Sequence, residues 1–279
     1  MAARAGGWRT LGALAAAAAF ALPLLLMVSG SLRPPGTAAP PTPELLPSPA
    51  STDSYRAAAD LGDLGQAALV SLLVAAVAVP LSVLVASWAG FAMTQVSRRA
   101  ATAMVVASVV ALMVPVTALL VPRFVLYRLL GLTDTLVPLV LPGLLATSPF
   151  YVIVFYLAFR ALPGDLFDAA RLADLSPLRT WWRVAMPLVR PVTAAVAALV
   201  FVLTWSSFLE PFVYVYDREL FTVPLALRSL STLDRSDYSV FLAGAVLASV
   251  PALVLFAVAQ RGFLQTDRRA GWWGRRGEP

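Results

Sequence analysis

Residues 162–187 read LPGDLFDAARLADLSPLRTWWRVAMP and lie between two long apolar stretches. The pattern predicts a helix–turn–helix. Gly164 or Asp165 caps the first helix, whose first turn carries acidic residues, as the helix dipole favours. Ser176 and Pro177 begin the second helix as N-cap and first helical residue. Two further prolines are expected to end that helix before the next apolar stretch: Pro187 and Pro191.

The apolar stretches on both sides of this loop are long enough to cross a bilayer. A membrane-spanning helix needs about 20 mostly apolar residues. Six stretches qualify, at residues 11–28, 67–93, 101–121, 136–159, 192–212 and 240–259. Prolines inside these stretches are compatible with membrane helices, where they often cause a kink. The sequence therefore predicts an all-α membrane protein with six transmembrane helices.

The composition supports this class and excludes several others. Hydrophobic residues make up 59% of the 279 residues and charged residues 13%, against about a quarter charged in a soluble domain. The mean hydropathy is +0.80. The chain has no Cys and no His, which excludes disulfides, Cys/His zinc sites and a Ser-His-Asp triad. We expect no catalytic residue, no metal site and no cofactor.

Four segments follow along the chain. Residues 1–31 form the first transmembrane helix; a cleaved signal peptide is the alternative reading of this stretch. Residues 32–66 are an outer segment rich in Pro, expected to be extended and poorly packed. Residues 67–260 are a five-helix transmembrane core that includes the loop 160–191. Residues 261–279 are a basic tail.

The distribution of arginine predicts the orientation. All 21 basic residues are Arg. With a cytoplasmic N-terminus, 14 of them fall in cytoplasmic segments and 7 in outer segments, and an excess of basic residues marks the cytoplasmic side. Both termini are thus expected in the cytoplasm. The basic excess is a topology signal and does not indicate nucleic-acid binding. The absence of Lys and Asn indicates a GC-rich, bacterial genome. We expect the chain to lie in the bacterial cytoplasmic membrane.

The loop resembles a known motif. Asp168-Ala169-Ala170, three residues, Asp174, nine residues and Val184-Ala185-Met186-Pro187 match the EAA loop of binding-protein-dependent ABC importer permeases. The chain departs from that family's pattern at two positions. Asp168 stands where the family has Glu, and Asp174 stands where it has Gly. The family's Gly is expected to adopt a left-handed conformation, which Asp tolerates better than most residues.

Other segments extend the resemblance to the second permease subunit of carbohydrate ABC importers, the maltose and glycerol-phosphate type. They are Met113-Val114-Pro115, Gly131-Leu132-Thr133-Asp134-Thr135, Thr204-Trp205-Ser206-Ser207-Phe208-Leu209, Ala243-Gly244-Ala245-Val246 and Gln260-Arg261-Gly262-Phe263. The resemblance implies the type I ABC importer permease fold. It covers the chain from about residue 66 to the end.

The resemblance also implies partners and a mechanism. The chain would pair with a second permease subunit in the lipid bilayer and bind two ATPase subunits, and an external lipoprotein or periplasmic protein would deliver a sugar. Ala169 and Ala170 would allow close approach to an ATPase, and Asp168 or Arg171 would pair with charges there. ATP-driven closure would switch the permeases between two states. The chain has no phosphate-binding Gly-rich motif with Lys, so it is not itself an ATPase.

The fifth stretch supplies the candidate pathway residues. Trp205, Ser206, Ser207 and Phe208 combine aromatic faces with hydroxyls, which suits sugar binding. Helix packing by small Ser residues is the alternative. Glu210 is either functional, since acids in membrane spans are costly, or simply exposed at the interface.

Several readings remain open from the sequence. The loop is either the ATPase dock or an interfacial amphipathic element anchored by two Trp side chains. The basic tail contacts either anionic lipid or the ATPases. Importers of polyamines or phosphate share the loop. A secondary transporter would be expected to have intramembrane ionisable residues or broken-helix ion sites, and a membrane enzyme would need an internal carboxylate cluster.

Overall fold

The computed structural model describes residues 4–42, 44–144, 149–232 and 238–270, and within these ranges all regular structure is helical. The first helices are α1 (Arg4–Ser31), α2 (Asp53–Leu61), α3 (Leu64–Thr94), α4 (Arg98–Leu112), α5 (Leu120–Leu129), α6 (Val137–Leu144) and α7 (Pro149–Arg160). They continue as α8 (Gly164–Leu172), α9 (Pro177–Thr180), α10 (Met186–Leu188), α11 (Arg190–Trp205), α12 (Leu209–Tyr214), α13 (Val223–Ser231) and α14 (Tyr238–Ala270). Short 3-10 turns cover Val116–Leu119 and Arg218–Leu220, and a π-helical turn covers Trp181–Ala185. The all-α prediction is confirmed.

The spans are less regular than the sequence predicts. Three helices are long and apolar enough to cross a membrane, at Thr10–Ser31, Leu64–Thr94 and Tyr238–Val258. The number rises to six when each of three bent helix pairs counts as one span. Those pairs bend by 81°, 80° and 86°, at the breaks after α4, after α7 and before α11.

The predicted spans at 101–121, 136–159 and 192–212 are each interrupted. Helix α4 ends at Leu112, where Pro115 introduces a 3-10 turn. Helix α11 ends at Trp205 and a new helix begins at Leu209. The fourth stretch divides into α6 and α7, and residues 145–148 between them are outside the described ranges. Of the predicted tail, residues 271–279 also lie outside them.

The chain divides into two compact units. The first unit comprises residues 1–68 and 223–251. Within it the Pro-rich segment is better packed than expected, because it contains α2 and because serine hydroxyls form hydrogen bonds with its backbone. The Ser54 Oγ donates to the Arg33 carbonyl (2.6 Å) and to the Ser239 Oγ (3.0 Å), and Ser239 donates to the Pro34 carbonyl (3.1 Å). Both serines are fully buried.

The second unit comprises residues 69–222 and 252–279, and its core lies where α3, α7 and α11 meet. Phe155 and Phe159 of α7 are buried there and stack on each other at 5.9 Å. Gly90 of α3 permits a close helix crossing: a Cβ there would lie 2.8 Å from the Phe155 Cβ and 2.8 Å from the Tyr156 nitrogen. This crossing supports the helices that carry the loop and the cavity described next.

Candidate functional site

The turn of the loop has the geometry expected for the family's glycine. Helix α8 begins directly after Pro163 and ends at Leu172. Asp174 follows with φ +52°, in the left-handed region. Its N–H donates to the Arg171 carbonyl and the Leu175 N–H to the Ala170 carbonyl, each at 3.0 Å. These two bonds are the Schellman pattern that terminates helices, so aspartate preserves the turn.

The second half of the loop starts as predicted and ends differently. The Ser176 Oγ accepts from the Arg179 N–H (3.4 Å), and Pro177 is the first helical residue. Pro187 lies within α10 and does not end the helix. The Met186 N–H donates to the Trp181 carbonyl, five residues back, and this π-helical turn is followed directly by Met186 and Pro187. The break falls at Val189, and Pro191 lies at the start of α11.

The predicted contact residues of α8 lie on two different faces. Asp168, Ala169 and Arg171 are exposed. Asp168 and Arg171 pair with each other at 3.0 Å, and such exposed pairs contribute little stability. Ala170, in contrast, is only 5% exposed. The expectation that Ala170 offers a small surface to a partner is therefore corrected: its side chain already packs inside this chain.

An exposed apolar surface was not among the predicted contacts. Leu172 is 90%, Trp182 64% and Leu178 55% exposed. The two neighbouring tryptophans also separate: Trp181 is buried and packs on Trp88 at 5.6 Å between ring centroids, and only Trp182 faces outward. The amphipathic sequence pattern indicates that the loop has an apolar side. It does not show which of the apolar side chains are covered by the rest of the chain and which are exposed.

Three of the predicted pathway residues are not in the wall of the cavity that Ser207 and Glu210 line. Trp205 is buried and stacks on Phe201 at 5.7 Å. The Ser206 Oγ donates to the Val202 carbonyl of its own helix (2.7 Å). Phe208 stacks on Phe212 at 5.3 Å. These contacts favour the packing alternative for Trp205, Ser206 and Phe208.

The other two, Ser207 and Glu210, line a cavity of about 220 Å³ inside the second unit. Its wall comes from α3, α6, α7, α11 and α12, from the turn between α11 and α12, and from the residue before α13, and it is mostly apolar. The polar side chains in that wall are Ser71, Ser82, Tyr151, Thr204, Ser207, Glu210 and Thr222. Sequence reasoning missed the residues outside the fifth stretch, because isolated Ser and Thr in apolar helices give no pattern.

Glu210 has a basic partner on another helix. The Arg123 guanidinium of α5 lies 3.5 Å from its carboxylate, and both side chains are mostly buried. Beside them Tyr127 and Tyr214 pack edge to face at 5.1 Å, and the Tyr214 hydroxyl donates to the Leu120 carbonyl (3.4 Å). An ion pair and an aromatic pair thus join α5 to α12.

Asp134, in the loop before α6, is hydrogen-bonded to the segment that follows α12, and we call this contact the latch. Asp134 has φ +61°, and its carboxylate accepts from the N–H groups of Asp217 (2.8 Å) and Tyr216 (2.9 Å). Its own N–H donates to the Tyr214 carbonyl (2.7 Å). The backbone donors of Asp217 and Tyr216 hold the pKa of Asp134 below its ordinary value. These three hydrogen bonds give Asp134 of the segment 131–135 a structural role.

Comparison with known proteins places this arrangement in a family. The model of the family described as "Binding-protein-dependent transport system inner membrane component" matches residues 78–265. These residues include the loop and nearly all of the cavity wall. The chain belongs to this family. The permease class predicted from the loop spacing is therefore confirmed, and membership decides against a secondary transporter or a membrane enzyme.

Individual relatives cover most of the chain. The lactose transport system permease protein LacG of Rhizobium radiobacter is 30% identical over 70% of this chain and 71% of its own length. The arabinooligosaccharides permease protein AraQ of Halalkalibacterium halodurans is 32% identical over 70% and 69%. The trehalose permease protein SugB of Mycobacterium tuberculosis is 28% identical over 92% and 94%.

The permease fold is shared with a solved structure. A bacterial ABC transporter that imports the acidic polysaccharide alginate contains a chain with a TM-score of 0.76, which covers 94% of this permease and 97% of that chain. The sequence identity is 18%, so the comparison concerns the fold alone. The predicted ABC importer permease fold is confirmed.

Proposed function

We propose that this permease imports a carbohydrate as one subunit of an ABC importer. It pairs with a second permease, binds two ATPase subunits and receives its sugar from an extracytoplasmic binding protein. The names of its relatives support the carbohydrate class, since they include permeases for lactose, arabinooligosaccharides and trehalose. Members of this family are the inner membrane component of their transport system. In this proposal ATP hydrolysis is therefore supplied by the partner ATPase subunits.

Coupling to the ATPases runs through the outer face of α8 and the residues beside it. The observation that carries this proposal is the exposure of Leu172 (90%) next to exposed Ala169 and the Asp168–Arg171 pair. Leu172 is available to a partner because its own chain barely covers its side chain. Ala170, which is buried, anchors the helix to the permease. Asp174 and Pro187 shape the loop and make no contact with the ATPase in this scheme.

The orientation belongs to the same proposal. We infer that both termini and the loop 160–191 are cytoplasmic, that residues 32–66 are external, and that the membrane is the bacterial cytoplasmic membrane. The support is the arginine distribution, with 14 of 21 on the cytoplasmic side. Residues 1–31 and 67–260 then form the membrane part, and 261–279 the cytoplasmic tail.

Deletion of the gene in its own organism tests the function. Uptake of labelled lactose, trehalose and arabinotriose is measured in the deletion strain and after complementation. We expect loss of uptake of at least one of these sugars, with recovery by the wild-type gene. Complementation with Leu172→Asp should fail at equal membrane abundance, whereas Leu178→Ser on the neighbouring helix tests how far the surface extends. Unchanged uptake of all three sugars in the deletion strain would contradict the proposal.

A further inference from the structure

The cavity of the second unit combines an acid with hydroxyls inside an apolar wall. Thr222 is 5% exposed, and its hydroxyl has no hydrogen-bond partner among the residues that the structure describes. The hydroxyl side chains of Ser82, Thr204 and Ser207 line the same cavity and are partly exposed. A buried hydroxyl without a partner is costly, so Thr222, with three more hydroxyls on the same wall, indicates that a molecule entering the cavity can form hydrogen bonds there.

The geometry of the ion pair leaves the acid available. Charge-assisted bonds between N–H and carboxylate are about 2.7–2.9 Å long, and the Arg123–Glu210 distance is 3.5 Å. Arg123 therefore compensates the charge of Glu210 but does not use up the hydrogen-bond acceptors of its carboxylate. Glu210 lines the cavity whereas Arg123 does not. The carboxylate can accept from further hydroxyl donors.

Charge and size restrict what fits. Because Arg123 compensates Glu210, the site has no net charge to favour a cationic solute. A volume of about 220 Å³ is many times the roughly 10–15 Å³ that one water molecule needs by the same kind of measure, which is room for a single sugar ring. Gly143 allows α6 to approach Ser82 closely, since a Cβ there would lie 2.8 Å from the Ser82 Oγ.

From these observations we propose that this subunit carries its own carbohydrate subsite, in which Glu210, Thr204, Ser207 and Thr222 bind the hydroxyls of one sugar ring during passage. The inference rests on the proposed carbohydrate function. It assigns to this chain a binding step that does not depend on residues of the second permease.

The first test uses the absence of Cys from the chain. The complete importer is reconstituted with Ser207→Cys or Ser82→Cys and treated with a small cationic thiosulfonate reagent, and modification of this subunit is measured by mass. Both cysteines should react, and the transported sugar should slow them. Ser87→Cys is the control in the same helix, because Ser87 is fully buried and donates to the Leu84 carbonyl. If the two cavity cysteines react no faster than the control, the site is refuted.

The second test measures transport kinetics in the same proteoliposomes with lactose, trehalose and arabinotriose. Loss of one hydrogen bond to a charged group should raise KM about 10- to 150-fold in Glu210→Gln, and loss of a neutral one about 2- to 10-fold in Thr204→Val. Thr193→Val is the matched control on α11, because the Thr193 hydroxyl donates to the Val189 carbonyl (3.1 Å). KM should not change in that variant.

The outcomes separate the two proposals. A wild-type importer that transports one of the sugars, with Glu210→Gln and Thr204→Val at wild-type KM, overturns the subsite and leaves the importer function intact. A wild-type importer that transports none of the three overturns the proposed function and the subsite together.

Discussion

Neighbouring alanines of α8, one exposed and one buried, give a sharp test of the coupling surface. Ala169 is exposed and Ala170 is 5% exposed. Ala169→Arg places a long cation on the proposed ATPase contact and leaves the permease fold unchanged. Ala170→Arg places the same side chain into the packing of the permease itself. The two variants should therefore fail for different reasons.

The magnitudes follow from packing. Overfilling a packed contact costs about 1–3 kcal/mol, so Ala169→Arg should weaken ATPase binding by about 5- to 150-fold, at about 1.4 kcal/mol per tenfold. Ala170→Arg adds the cost of burying an unpaired charge, about several kcal/mol, to a similar overpacking cost. That sum is a large part of the stability of a typical domain, about 5–15 kcal/mol.

Two measurements distinguish the variants. Binding of the purified ATPase subunit to the detergent-solubilised permease pair is titrated, and thermal unfolding of the same pair is followed. Ala169→Arg should lose ATPase affinity at an unchanged unfolding midpoint. Ala170→Arg should unfold at a lower temperature and reach the membrane in smaller amounts. Ala161→Arg is the control, because Ala161 is exposed and lies before α8.

Two results would refute this reasoning. If Ala169→Arg binds the ATPase within twofold of wild type, the outer face of α8 is not the dock. If Ala170→Arg keeps wild-type stability and loses only ATPase binding, Ala170 faces the partner and its burial in this chain is wrong.

Further predictions concern the turn, a helix crossing, the latch and the topology. Asp174→Gly should keep ATPase binding, whereas Asp174→Val should cost about 1–2 kcal/mol in stability, the penalty for a left-handed L-residue; unfolding midpoints compare them. Gly90→Ala should lower the free energy of unfolding, because backbone atoms block the new Cβ. The overpacking cost of about 1–3 kcal/mol is expected to exceed the gain in helix propensity of about 1 kcal/mol. Gly65→Ala, with open space around it, is the control in the same helix. The native pKa of Asp134 is lowered from 3.8, so its ionised form contributes stability above that pH and loses it as pH falls through the native value; the stability gap between wild type and Asp134→Asn should narrow at acid pH, and a gap independent of pH would contradict the latch. Reporter fusions after Arg98 and Arg269 should report the cytoplasm and one at Thr52 the outside, and an external signal after Arg269 would contradict the proposed orientation.

Local features of the loop could be predicted because their causes are local. Ser176 and Pro177 start a helix wherever the backbone permits, and Asp174 occupies a turn whose two hydrogen bonds join residues of the same helix end. The facing of Ala169 and Ala170 could not be predicted. Adjacent residues differ by about 100° around a helix, and only the neighbouring helices decide which of them is covered.

The sequence by itself determined the class. Apolar stretches of about 20 residues must be helical in a bilayer, where every backbone polar group needs an internal partner, and the spacing from Asp168 to Pro187 indicated the family. Only the tertiary structure decided which polar side chains meet. Ser82, Thr222 and Glu210 come from distant parts of the chain and line one cavity. A helix that is apolar all round has no polar face to show its orientation, so packing alone brings these groups together.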